Sequence, residues 1–178
     1  MRWTGFVLVL SLVATLSAHE TGFPEQTLKK VFPDATGFTS RKKALTADQL
    51  KRVEQLSGSA VQSNDNPLTF YVALGKTADG SGVLGTVVMV DTKGPKGAID
   101  LAIGINRDGS LHSVVVVENS DDPGLSSDGL LNQLKGKTLQ APLVVGEDIR
   151  FTGNMKSAQA LLNAVGRGVY LLQAAASK

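Results

Sequence analysis

The sequence predicts an α+β domain in which helices pack on an antiparallel sheet of about four to five strands. Strand-like apolar runs separated by glycine turns fill the middle of the chain, and stretches with helical spacing precede and follow them. The composition agrees, because 42% of the 178 residues are hydrophobic and 19% are charged, as in folded soluble domains. This length predicts one domain with a short appendage.

The first 18 residues are typical of a secretory signal peptide. Arg2 precedes about a dozen mainly apolar residues that begin at Phe6, and the small residues Ser17 and Ala18 follow. Because a bilayer-spanning helix needs about 20 apolar residues, we expect cleavage near Ala18 and export to the periplasm or another extracytoplasmic compartment. Retention as an uncleaved membrane anchor is the alternative.

Residues 19–65 are predicted to form an N-terminal helical segment ahead of the main domain. One short helix is expected from Pro24 to Val31. A second should begin at the capping box Thr46-Ala-Asp-Gln49 and end at Gly58. The basic run at residues 41–43 is interpreted as a solvated loop.

Residues 66–175 are predicted to form the main domain, opening with four strands in an antiparallel meander. The runs cover residues 68–74, 83–91, 98–105 and 111–118. Val114 to Val117 are apolar on both faces of their strand, which predicts that other elements cover the strand on both sides. One of these covering layers should be the last helix. A short helix containing Leu130 and ending at Gly136 should follow, then a brief strand at residues 143–145.

A polar loop after Asp148 turns into an amphipathic helix, and this transition is the main candidate for a binding site. Hydroxyl, amide and ammonium groups gather there, on Thr152, Asn154, Lys156 and Ser157, together with the flexible Gly153. Free N–H groups and the positive end of the helix dipole attract anions, so the pattern is compatible with a phosphate site. The structural alternative is that Asn154 or Ser157 caps the helix.

The chain from about residue 26 resembles the FMN-binding domain family, found in flavin-bearing subunits of Rnf and sodium-translocating NADH:quinone oxidoreductase complexes. Members carry a Ser/Thr-Gly-Ala-Thr loop whose last threonine is joined to FMN through a phosphoester. Here Thr152 and Gly153 match the first two positions, Asn154 replaces the alanine, and Met155 replaces the acceptor threonine. Since Met155 has no hydroxyl, the resemblance implies FMN bound non-covalently.

Two further stretches carry the resemblance. Gly104 to Gly109 looks like the family's hairpin, and Asp121-Asp-Pro-Gly-Leu125 resembles a Glu-Thr-Pro-Gly-Leu-Gly loop that passes near the flavin ring. Pro123 and Gly124 would then border the ring, and Pro123, Leu125 and Phe151 would supply an apolar slot.

Other kinds of site are disfavoured. The chain has no cysteine, and its two histidines cannot form a structural zinc site without several carboxylates. A formal charge of +2 does not indicate nucleic-acid binding. No Gly-x-Ser-x-Gly elbow is present, and Asp121 and Asp122 are interpreted as solvated loop residues without a metal.

The leading hypothesis is therefore an exported electron-transfer module that holds FMN non-covalently and meets a redox partner protein, possibly membrane-bound. The alternative is a flavin-free extracytoplasmic scaffold or small-ligand binding module of the same fold. An enzyme that reduces a small molecule through its flavin is a third possibility, without an identified substrate pocket.

Overall fold

The computed structural model describes residues 23–177, which form an α+β fold, as predicted. The predicted signal peptide lies outside the described residues. Among residues 23–177, no helix has the length and hydropathy needed to cross a bilayer.

A five-stranded sheet forms the centre of the fold, and every neighbouring pair of strands is antiparallel. The strands follow chain order from one edge of the sheet to the other, so the meander predicted from the glycine turns is confirmed. They are β1 (Gly37–Lys43), β2 (Leu68–Thr77), β3 (Gly80–Lys93), β4 (Ala98–Asn106) and β5 (Leu111–Asn119).

The edge strand β1 corrects one prediction, because Arg41, Lys42 and Lys43 belong to it and do not form a loop. These side chains are exposed, as expected, but their backbone pairs with β2. The strand lies within the segment predicted to be helical. Where the domain boundary falls, at residue 66 or elsewhere, stays a prediction.

One face of the sheet is covered by the long helix α4 (Met155–Ala176), and α2 (Ala47–Ser57) packs against α4. The capping box of α2 is confirmed, with Gln49 N donating to Thr46 Oγ1 and Thr46 N donating to Gln49 Oε1. Gly58 ends the helix in the left-handed conformation, at φ 63°. α4 packs on β2, β3 and β4, and Leu161, Leu162 and Val165 lie in the core.

On the face of the sheet that α4 covers, β5 packs against other, shorter elements. Two short 3-10 turns, Pro123–Ser126 and Asn132–Leu134, pack against it together with α3 (Asp128–Leu131). Val114 is buried on this side and Val115 packs on the other, which confirms two-sided cover. The layer predicted to be the last helix is instead formed by these short elements, and Val117 at the strand's end is 43% exposed.

The opposite face carries a smaller core under α1 (Glu25–Val31). Leu28 and Val31 pack there against small strand residues such as Ala73 and Ala102. Phe32, just after α1, stacks on the ring of His112 with ring centroids 4.1 Å apart.

The predicted strand at residues 143–145 does not form, and only an isolated bridge joins Val145 to Ile149. The amide of Gln159 in α4 binds this segment, accepting from Val145 N and donating to Leu143 O. Because a side chain satisfies these backbone groups, the segment needs no partner strand.

Candidate functional site

The two stretches that the resemblance assigns to FMN lie against each other. We call residues 121–124 together with residues 151–157 the loop–helix junction. It is built from the turn that follows β5 and from the first turn of α4. The two parts are joined by Asp122, whose Oδ2 accepts from Asn154 N at 2.8 Å.

The first turn of α4 is capped by Asn154. Its Oδ1 accepts from Lys156 N at 3.0 Å and from Ser157 N at 3.2 Å. An unpaired N–H at this end of a helix is what would attract a phosphate. The backbone N–H groups of Asn154, Lys156 and Ser157 each donate to a side chain of the protein itself.

Asp122 is the acceptor that ties the two halves of the junction together. Besides Asn154 N, it accepts from Gly124 N through Oδ1 at 2.8 Å, which fixes the Pro123-Gly124 turn. The hydrogen bond from Asn154 N, and next that from Gly124 N, hold the pKa of this carboxyl below its ordinary value of 3.8. Asp122 is therefore a bound anion at the positive end of α4.

Asp121 is a second carboxylate inside the junction, and only 9% of its surface is exposed. Its Oδ1 accepts from the hydroxyl of Ser157, which is fully buried. Its Oδ2 accepts from Lys96 N and Gly97 N, at 2.6 and 3.0 Å. Burial raises the pKa of Asp121, but the hydrogen bonds from Ser157, Lys96 and Gly97 outweigh burial and leave that pKa below 3.8.

The turn between β3 and β4 makes room for Asp121 because it contains glycines. A Cβ at Gly94 would lie 2.3 Å from Asp121 Oδ2, and one at Gly97 would lie 2.4 Å from Ser120 O. Both distances are too short for any side chain. The interpretation of Asp121 as a solvated loop residue is therefore wrong, whereas Asp122 is half-buried and hydrogen-bonded through both carboxylate oxygens. The signals that could have revealed their role are this pair of glycines and the turn-forming Asp-Pro-Gly sequence.

The residues predicted to form an apolar slot for the flavin ring differ in their exposure to solvent. Leu125 is fully buried in the main core, whereas Pro123 is exposed. The ring of Phe151 lies over the two glycines, so closely that a Cβ at Gly153 would be 2.4 Å from its Cζ. At Gly124 the corresponding distance is 3.1 Å. The space above both glycines is thus taken by a phenyl ring.

The outer surface of the junction is formed by Thr152, Gly153, Met155 and Lys156, which are all exposed. Met155, at the position of the family's acceptor threonine, is 45% exposed. A threonine hydroxyl and a lysine ammonium are thus the polar side-chain groups that this surface offers to a ligand.

A buried cation in α4 was not predicted. Arg167 is fully buried, and its guanidinium donates to Ser59 Oγ, Ala60 O and Asp91 O. Its Nε lies 3.0 Å from Oδ2 of Asp65, although the N–H does not point well enough at that oxygen for a hydrogen bond. This ion pair joins α4 to the loop before β2. Burial raises the pKa of Asp65, against the lowering effects of Gln62 N and Arg167.

Within residues 23–177, no cluster of three or more histidine and carboxylate side chains is arranged to hold a metal ion. No family model matches the chain, and no curated protein matches its sequence significantly.

Proposed function

We propose that this chain is an exported, flavin-free module, a scaffold or small-ligand binding protein with a fold like that of the FMN-binding domains. The observation that carries the proposal is that side chains of the junction itself already accept hydrogen bonds from the amides at the start of α4. Asp122 and Asn154 take the N–H groups of Asn154, Lys156 and Ser157, which are three of the groups through which the helix would bind a phosphate.

Electrostatics argue in the same direction. A phosphate bound at this helix end would lie beside Asp121 and Asp122, whose depressed pKa values keep both carboxylates charged at neutral pH. Like charges that lie this close together repel each other. A doubly charged phosphate would meet that repulsion from two sides. The residues present therefore do not fit a phosphate bound to these amides.

Export is part of the proposal and is supported by the basic start, apolar core and small residues of positions 2–18. The extracytoplasmic location would apply to the scaffold and to the ligand-binding form alike.

The second candidate is an electron-transfer module that holds FMN non-covalently and exchanges electrons with a redox partner protein, possibly membrane-bound. The specific observation that favours it is that both stretches named by the resemblance meet at one surface, where Thr152 and Lys156 are exposed. FMN would then lie on the outside of the junction, against Pro123 and Met155, with its phosphate near the Lys156 ammonium.

Purification and titration of residues 19–178 separate the two candidates. We expect a colourless protein from a flavin-replete host and no saturable change in flavin fluorescence when FMN is added. A yellow protein that releases FMN on denaturation, or tight binding of added FMN, would replace the first candidate by the second. In that event Lys156→Gln should weaken FMN binding, whereas Lys76→Gln on the remote end of β2 should not.

A further inference from the structure

The last strand of the sheet, β5, has a free edge. In the order of the sheet it has β4 as its single neighbour. A loop pairs with the start of the edge, where Leu111 N donates to Lys137 O and Leu111 O accepts from Gly136 N. Over residues 113–117, no backbone group of β5 bonds to any described residue outside β4. Such an edge presents unpaired N–H and C=O groups, and their natural partner is another extended backbone.

A groove of about 310 Å³ lies along this part of the edge. The four consecutive residues 113–116 line it, with Lys30 of α1 on one side and Leu131, Asn132 and Lys135 on the other. Because α1 and the α3 segment cover opposite faces of the sheet, they form two walls beside the β5 backbone. A single extended chain fits between such walls, as in β-strand addition, whereas the edge of a second copy would bring walls of its own.

The side chains of the free edge favour an apolar occupant. Val115 and Val116 are half-buried, Val117 is 43% exposed, and residues 113–117 include no charged side chain. The other edge of the sheet, β1, ends in four exposed residues, three of them basic. Charges of that kind commonly protect edge strands from pairing, so β5 lacks the protection that β1 has.

Two lysines indicate the charge of the occupant. Lys30 and Lys135 are exposed at the groove, and neither forms an ion pair with a carboxylate in residues 23–177. Lys30 precedes Val31, whose carbonyl accepts from Ser113 Oγ. Lys135 precedes the glycine that bonds to the start of β5. Both cations therefore lie towards the N-terminal end of the free edge, where they are complementary to an acidic group.

The direction of the occupant follows from this asymmetry. One carboxylate, that of Asp128, also lines the groove, so one of the two ammonium charges is in excess there. Antiparallel pairing is slightly more stable than parallel pairing, and it brings the C-terminal end of an added strand to the N-terminal end of β5. An acidic residue near the C-terminal end of the occupant would thus lie beside the lysines.

We propose that the groove beside β5 binds an extended segment of a partner polypeptide, which adds antiparallel to residues 113–117. Its apolar side chains alternate, and a carboxylate towards its C-terminal end pairs with Lys30 and Lys135. The inference goes beyond the function proposed above, because it holds whether or not the junction binds FMN. It also gives the scaffold form of that function a class of partner.

An acetylated peptide of alternating threonine and valine that ends in two glutamates is a suitable probe. It is titrated into residues 19–178 while backbone amide chemical shifts are recorded. We expect saturable shifts confined to β5, the end of α1 and residues 126–135, and weaker binding as salt is added. Lys30→Gln and Lys135→Gln should each weaken binding about two- to fivefold, as is typical of exposed ion pairs. Lys42→Gln on β1, the opposite edge, is the control and should leave the affinity unchanged.

A second peptide tests whether the backbone of the occupant is bound. N-methylation of the alternate backbone nitrogens that face β5 keeps every side chain but removes the N–H donors. This peptide should bind about tenfold more weakly or worse, because each lost hydrogen bond contributes to the affinity. A third peptide, with its glutamates at the N-terminal end, should also bind more weakly than the first.

The proposal is overturned if the first peptide gives no saturable shifts, if its N-methylated form binds as tightly, or if the shifts lie on β1. Shifts of β5 that depend on protein concentration without any peptide would assign the edge to a second copy, which also overturns it. The amide spectrum of each variant shows whether it is folded. Flavin binding is measured independently, so a failure of peptide binding leaves the function proposed above standing.

Discussion

Arg167 and Asp65 form an ion pair with side chains that are 0% and 2% exposed, at 3.0 Å between Nε and Oδ2. The pair connects the middle of α4 to the loop before β2. The same guanidinium donates to carbonyl oxygens in that loop and at Asp91 on β3. A single side chain of α4 thus binds polar groups from two other parts of the chain, this loop and β3.

Removing this cation should be severely destabilising. Arg167→Met would leave the Asp65 carboxylate buried without its counter-ion and two carbonyl groups without the guanidinium donor, and breaking a buried pair in this way costs about 3–5 kcal/mol. Urea unfolding followed by circular dichroism measures the change. The double variant Arg167→Met with Asp65→Asn should regain part of the loss, because no unpaired charge remains. If Arg167→Met alone is as stable as the unaltered chain, the pair has no structural role.

The hydroxyl of Ser157 should stabilise the fold by holding the two parts of the junction together. Ser157→Ala removes its hydrogen bond to Asp121, and a bond to a charged group is worth about 1.5–3 kcal/mol. We expect a loss of stability of that order in urea unfolding. Thr152→Ala, on the exposed side of the same turn, should change stability by less than about 0.5 kcal/mol.

The junction also predicts how stability depends on pH. The pKa values of Asp121 and Asp122 are lower in the folded chain than their ordinary value of 3.8. Their contribution to stability is therefore present above about pH 4 and is lost as the pH falls through the depressed values. Asp65, whose pKa is raised, acts in the opposite sense, since its contribution is full below 3.8 and is lost as the pH rises through its folded value.

This pH dependence can be checked by measuring the free energy of unfolding between pH 2 and 7. That interval includes the range of about pH 2 to 6 in which carboxyl groups titrate. Asp121→Asn should be less stable near neutral pH and should lose less stability on acidification than the unaltered chain. Asp79→Asn, in the exposed turn after β2, is the control. Parallel pH curves for Asp121→Asn and the unaltered chain would contradict the assignment.

The β3–β4 turn should not tolerate a side chain at Gly97. A Cβ there would lie 2.4 Å from Ser120 O, and the clash with backbone should cost about 1–3 kcal/mol. Gly37→Ala in β1 is a matched control, because a Cβ at Gly37 has no heavy atom within 4 Å. Equal stabilities of the two variants would show that the turn can relax.

Tyr170→Phe should make the protein more stable. The change removes a buried hydroxyl that has no partner in the described structure, which costs folding about 1–3 kcal/mol. We expect a gain of about 1 kcal/mol, read as a higher melting temperature. A lower melting temperature would mean that the hydroxyl is satisfied within the protein.

The strands and helices followed from local patterns, and the exceptions have physical reasons. β2 to β5 have the apolar runs and glycine turns that identify strands without any tertiary information. β1 lacks such a run, because an exposed edge strand buries little surface and its last four residues are exposed. The segment at residues 143–145 has the composition of a strand, yet its backbone groups are taken by Gln159.

The site was predicted only in part. The start of α4, and the possibility that Asn154 caps that helix, followed from the local sequence. The prediction missed that Asp121 and Asp122 supply the anions, since their partners Ser157 and Asn154 come from a distant part of the chain. Arg167 gave no local signal either, because a buried cation in a helix is recognisable only once Asp65 and the carbonyl groups around it are in place.

The basic edge of the sheet has a consequence for behaviour at high concentration. A second molecule that added its own strand to β1 would have to bring its backbone alongside Arg41, Lys42 and Lys43, and two such edges meeting would repel. Uncontrolled polymerisation through this strand is therefore opposed by charge. Neutralising these three side chains would remove that protection while leaving the interior of the fold intact.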